Sequence, residues 1–172
     1  MEHQSQPIAM VQGADSSVIQ QLFRDFIARQ PKSLRIAGLI ESGNCKTPSE
    51  GRLVNIADGR DFALFQELGA GSVACALDAE SVIDASSRVC ADIARGCDLV
   101  VLNKFGKLEA ENRTGLIPAF AAAIEAGIPI LTSVSPKFAQ AWSAFAAPMF
   151  NVLPPEMEAL DGWWLAASRK GQ

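Results

Sequence analysis

The chain has 172 residues with 49% hydrophobic and 20% charged side chains, the composition of one ordinary α/β domain rather than a disordered or fibrous protein. Its formal net charge is −4 and its basic residues are scattered, which argues against a nucleic-acid backbone or an anionic membrane as partner. The start, MEHQSQPIAMVQG, lacks a basic segment followed by an apolar one, and no apolar run is long enough to span a bilayer, so a cytoplasmic setting without membrane insertion is expected.

In chain order, Pro7 to Val11 is a short apolar run closed by Gln12-Gly13. Asp15, Ser16 and Ser17 then offer helix caps before the apolar residues of an amphipathic helix: Val18, Ile19, Leu22, Phe23, Phe26 and Ile27. Leu34 to Ile40 reads as a second strand. Two strand-like runs flank Asp58-Gly59, a pair suited to the positive φ angles of a tight hairpin, which belongs at a sheet edge. Asp78 caps a helix predicted to reach Gly96, and Leu99 to Leu102 forms a buried strand. A helix over Leu116 to Ala126, a strand over Ile128 to Val134, a helix over Lys137 to Ala147 and a strand over Phe150 to Leu153 complete the pattern. A polar helical piece and Gly162-Trp163-Trp164 follow.

Strands alternating with helices predict a doubly wound, mostly parallel sheet with flanking helices and an edge β-hairpin. A single domain over 1–172 is expected, with 1–6 disordered and 154–172 a helical tail. Ligands of such sheets lie beyond the carboxyl ends of the strands, which directs attention to Gly13 and Asn103.

Four cysteines form no CxxC pair and the one histidine is His3, which disfavours a zinc site. Cys90 and Cys97, seven apart on the predicted helix, read as small core side chains, and Cys45 in SGNCKT as the exposed thiol.

A phosphate-binding loop follows GxxxxGK[ST], in which backbone N–H groups, the lysine and the hydroxyl serve the phosphates and magnesium. Counted from Gly13, those last three places hold Val18, Ile19 and Gln20, and Asp15 would repel a phosphate. The strand that should end in a magnesium-binding carboxylate ends in Asn103-Lys104.

The segment CDLVVLNKFGKLEAE, with IEAGIPILTSVSPKFAQAWSAFA and the LPPEM and GWW motifs, resembles a bacterial family whose genes often lie beside molybdenum-transport genes. That family in turn resembles small P-loop nucleoside triphosphatases, whose Asp-Glu-Ile-Gly-Pro-Met-Glu signature aligns with Asn103 to Glu109. The resemblance spans most of residues 8 to 165 and implies the P-loop fold, a cytoplasmic setting and a link to molybdate handling. It implies no activity and no particular cofactor.

Three functional readings stand open. The first is a non-hydrolysing P-loop-like domain that binds a small anion, a phosphate or nucleotide or a molybdate-type oxyanion. It would use Gly13, Ala14, Asp15, Ser16 and Ser17 at the helix start together with Asn103, Lys104, Gly106, Lys107 and Glu109. The second is an unconventional nucleoside triphosphatase built on Asp15, Ser16 and Glu109. The third is an interaction module, protein partner or homodimer, using Trp163 and Trp164. The bland alternatives are solvated lysines, Glu109 and Glu111 as surface carboxylates in a loop, and Arg52, Arg60 and Asp61 as ordinary turn residues rather than a lid.

Overall fold

A computed structural model describes residues 5–42, 51–67 and 75–170. Nine strands and six α-helices follow one another as β1 (Ile8–Val11), α1 (Ser16–Ala28), β2 (Ile36–Glu41), β3 (Arg52–Asn55), β4 (Asp61–Ala63), β5 (Phe65–Glu67), β6 (Cys75–Leu77), α2 (Ala79–Ala94), β7 (Leu99–Phe105), α3 (Lys107–Asn112), α4 (Ile117–Ala126), β8 (Ile130–Val134), α5 (Ala139–Ala146), β9 (Phe150–Leu153) and α6 (Met157–Arg169). Seven strands make one sheet in the order β4-β3-β2-β7-β8-β1-β9, and β5 and β6 pair separately. The links among β2, β7, β8, β1 and β9 are parallel, while β3 and β4 are antiparallel and form the expected hairpin at the edge.

Parallel strands covered on both faces need continuous apolar sequence, and Leu99 to Leu102 supply it with four side chains at zero exposure. One face carries α1 and α6: Ile19, Phe23, Phe26, Leu160 and Trp163 pack on Ala9, Val11, Val101 and Leu131. The other carries α2, α4 and α5 over Ile8, Met10, Val100, Leu102 and Ile130. A ring cluster fastens the carboxyl end of β7 to that second layer, with Phe105 and Trp142 edge-to-face at 5.2 Å and Phe120 6.0 Å from Phe105. β1 therefore sends its chain to one face and β8 to the other, which makes the carboxyl ends of these neighbours the switch point of the sheet.

Local chemistry explains most boundaries. Asp78 accepts a hydrogen bond from the Ser81 N–H at 3.0 Å and starts α2. Gly127, at φ +69, ends α4 in the left-handed conformation.

Three expectations need correction. Lys107–Asn112 is helical where a loop was expected. Cys97 lies beyond the end of α2, so it shares no helix with Cys90; both are half-buried free thiols. The helix expected from Lys137 begins as a 3-10 turn at Pro136–Phe138, because proline fixes the first φ and removes a donor. The tail after Pro154, expected to be helical, forms one helix, α6, that runs through Gly162-Trp163-Trp164. Within it Trp163 is buried and its indole N–H donates to the Gln6 carbonyl at 3.0 Å, while Trp164 is half-buried beside it. Cys45 lies outside the described residues. Among the described residues no helix is long and apolar enough to cross a membrane, and no group of three or more His, Cys, Asp or Glu side chains is placed to hold a metal ion.

Candidate functional site

Parallel register brings the two motif-bearing strand ends to one end of the sheet. Val11 pairs with Ser133 and Leu102 with Thr132, so β1 and β7 end at nearly the same height with β8 between them. The loop from Gln12 to Asp15 is short: α1 begins at Ser16, two residues before the place of the second glycine of a phosphate loop. Residues 13 to 18 are all exposed, and Asp15, the residue ahead of the first turn, makes no side-chain cap. Gly13 holds φ +113, and a Cβ there would stand 3.3 Å from Pro155 Cδ, so the segment after β9 lies close over this loop.

Gln20, which falls where a P-loop carries its hydroxyl, is 2% exposed, and its Nε2 donates to the Asn103 carbonyl at 2.9 Å. Ser133 Oγ donates to the same carbonyl at 2.7 Å. The register between β7 and β8 shifts between Leu102 and Phe105, and an irregularity of this kind re-aims side chains at a strand end. It lets Asn103 and Lys104, neighbours in sequence, reach the same oxygen: Asn103 Nδ2 donates to Glu41 Oε1 at 3.0 Å and Lys104 Nζ lies 3.0 Å from it. Arg24 Nη1 donates to the Glu41 carbonyl at 2.7 Å, tying α1 to the same strand end. The result is a chain of contacts, Gln20 to Asn103 to Glu41 to Lys104, that joins α1 to the carboxyl ends of β7 and β2. The Lys104 ammonium stands against the Glu41 carboxylate, and the Asn103 amide donates to it. This donor set does not fit a magnesium ion, which takes carboxylate and water oxygens.

Glu109 acts elsewhere. It is 6% exposed, contrary to its expected place on the surface; Oε1 accepts the Gly106 N–H at 2.8 Å and Oε2 accepts the Leu116 N–H at 2.9 Å. One carboxylate thus caps the start of α3 and fastens the start of α4. Burial pushes its pKa above 4.5, opposed by the Leu116 and Gly106 N–H groups and by the charge of Lys104. Gly115, at φ +63, makes room for it: a Cβ there would meet Glu109 Oε2 at 1.9 Å.

Of the residues expected in the site, Asn103 and Lys104 are linked through Glu41, Gly106 is linked to Glu109, and Lys107 is exposed at the first position of α3. Gly13 to Ser17 are joined to Asn103 through Gln20, one turn along α1. Glu41 was missed, since its partners lie 62 and 63 residues away. Arg52, Arg60 and Asp61 are engaged within the hairpin: Arg52 Nε lies 3.1 Å from Asp61 Oδ2, and Arg60 sits 5.8 Å from the Phe62 ring centroid. The cavity beside Asn103, Lys104, Gly106 and Glu109 holds about 40 Å³, against roughly 300 Å³ for the smallest common ligand pockets.

Sheet order, crossover helices and the two strand ends define a protein with the fold of the P-loop nucleoside triphosphatases. THEP1 from Aquifex aeolicus, a solved structure, superposes with a TM-score of 0.54 over 90% of this chain and 91% of its own, at 8% identity, a likeness of fold alone. Residues 8–163 match the protein family DUF2478, described as a protein of unknown function, and the chain belongs to that family. It is also 37% identical over 141 residues to a molybdenum import ATP-binding protein, ModC 2, of Bradyrhizobium diazoefficiens. That match covers 79% of this chain but 15% of the length of the relative.

Proposed function

We propose that this chain is a non-hydrolysing P-loop-like domain that binds a small oxyanion at the exposed start of α1 and serves molybdenum transport. The observation that carries the reading is the chain of contacts from Gln20 through Asn103 and Glu41 to Lys104, which fills with protein groups the space where a hydrolase holds metal and phosphate. What remains for an anion is the first turn of α1. The Ser16 and Ser17 N–H groups precede the first bonds of the helix, in which Val18 and Ile19 donate to the Asp15 carbonyl; both serines are exposed, and the Asp15 side chain makes no cap there. Lys104, which also pairs with Glu41, and Lys107 are its candidate cations. The molybdenum element of the proposal is supported by the 37% identity to an import protein named for that metal.

Thermal unfolding with molybdate, tungstate, sulfate, ATP and GTP tests this reading, because a ligand that binds only the folded chain raises its melting temperature. A rise with a tetrahedral oxyanion that is reduced in Lys104→Ala agrees with the proposal. Phosphate release from ATP or GTP that is lost in Glu109→Gln favours an unconventional hydrolase instead.

A second reading has its own observation: Leu165, 56% exposed, stands on α6 next to the half-buried Trp164. That face would dock on a partner protein. Leu165→Asp should then abolish association measured by sedimentation without lowering the melting temperature.

A further inference from the structure

A cavity of about 610 Å³ opens at the other end of the sheet, outside the amino ends of β2 and β7 and the carboxyl end of the antiparallel β3. It lies within the roughly 300–1,000 Å³ range of small-molecule sites. Its walls are the last turn of α1, the loop into β2, the β3–β4 turn and the last turns of α2. From the structure we infer that this cavity is a binding site for an organic anion, a molecule with an apolar or aromatic body and a carboxylate, sulfonate or phosphate head.

Two features carry the inference. The first is charge. Lys32, Arg35, Arg88 and Arg95 line the cavity against Asp58 and Asp92, an excess of two positive charges in a chain whose net charge is −4. The carboxyl ends of α1 and α2 each set about half a negative charge against this, and Asp98, outside the lining and 3.9 Å from Arg35, offsets part of that guanidinium through a solvent-exposed pair; the cations that face the cavity still outnumber its acids.

The second is that the arginines are held in place. Asp92 is 6% exposed; its Oδ2 accepts from Asn55 Nδ2 at 3.0 Å and its Oδ1 from Arg95 Nη2. Arg88 Nη2 lies 3.0 Å from Asp58 Oδ2, while its Nε, 3.7 Å from Asp92 Oδ1, is buried and makes no hydrogen bond among the described residues. A guanidinium already fixed by two carboxylates gives up little side-chain freedom when it meets a ligand. Opposite it, Ile27, Leu34, Ile56 and Ala57 supply the apolar wall that an aromatic or aliphatic body requires. An inorganic oxyanion would leave that wall unused, so this ligand class differs from the one proposed for α1.

The probe is 8-anilinonaphthalene-1-sulfonate, titrated by its fluorescence into the full chain, with N-phenyl-1-naphthylamine as the same body lacking the sulfonate. The expected result is saturable binding of one sulfonate probe per chain, with the neutral probe weaker. Lys32→Glu combined with Arg35→Glu should weaken the sulfonate probe about tenfold or more, equal to about 1.4 kcal/mol, and leave the neutral one unchanged. Ala57→Trp, which sets an indole on the apolar wall, should weaken both signals; if that variant does not fold, Ala28→Leu makes the same test. Lys104→Ala should leave the titration unaltered, so the outcome is separable from that of the α1 site. Equal binding of the two probes, no saturable binding, or a sulfonate affinity indifferent to the charge reversals would overturn the assignment.

Discussion

Replacing Gly115 by alanine tests the unexpected part of the site, the Glu109 staple. The new Cβ would lie 1.9 Å from Glu109 Oε2 and 3.0 Å from Leu108 Cβ, in a backbone at φ +63. The left-handed conformation costs a residue with a Cβ about 1–2 kcal/mol. Moving the carboxylate strands the buried Leu116 N–H, whose bond at 2.9 Å is charge-assisted, for about 1–3 kcal/mol more. The sum, about 2–5 kcal/mol, is a large part of the 5–15 kcal/mol that holds an ordinary domain, and lowers a urea midpoint by about 1–2 M. The assay is urea unfolding of Gly115→Ala, Glu109→Ala and the double variant. With Glu109 truncated the clash is gone, so Gly115→Ala should then cost only the backbone term, and the cycle should show a coupling of about 1–3 kcal/mol. Equal costs of Gly115→Ala in the two backgrounds would refute the staple.

Further predictions concern the same residues. Because the folded pKa of Glu109 is raised by burial, wild type should gain stability as pH falls from neutrality through that raised pKa, and the gain is complete below the unfolded value. Glu109→Gln lacks this term, so its deficit in urea unfolding should be larger near pH 4.5 than at pH 7.5. Asn103→Asp restores the carboxylate of a hydrolase but sets it against Glu41, where the amide now donates at 3.0 Å. It should cost about 1–3 kcal/mol at pH 7. The penalty comes from two facing carboxylates, so it should fade as acid protonates them, measured by melting temperature against pH. Lys104→Ala should cost at most about 1 kcal/mol in the absence of ligand, because its pair with Glu41 is partly exposed at 37% and 18%; a larger loss in urea unfolding would mean a structural lysine.

The sequence exposed those parts of the fold that are written locally. The cap at Asp78, the Asp58-Gly59 turn, the face of α1 and the apolar run of β7 each place an element within a few residues, and together they define the layered sheet. What stayed hidden depends on distant partners. Glu109 reads as a surface acid until Leu116, seven residues on, and the open space at Gly115 are placed around it. Glu41 carries no local signal, and only the parallel pairing of β2 with β7 brings it to Asn103 and Lys104. Counting along the phosphate-loop pattern identified Gln20 as the wrong residue for magnesium, but not that its amide would reach across to the Asn103 carbonyl. Gly162, a weak helix former, obscured the continuity of α6, which is set by the burial of Leu160, Trp163 and Ala167 against α1 and the sheet.

The most direct test of the central claim, that the nucleotide cleft is closed by the chain's own side chains, is a calorimetric titration of ATP with magnesium into the pure protein, run alongside a phosphate-release assay. No binding heat and no phosphate above a protein-free blank are expected. Saturable binding of the metal nucleotide, weakened by a bulky residue at Gly13 or by Asn103→Leu, would contradict it.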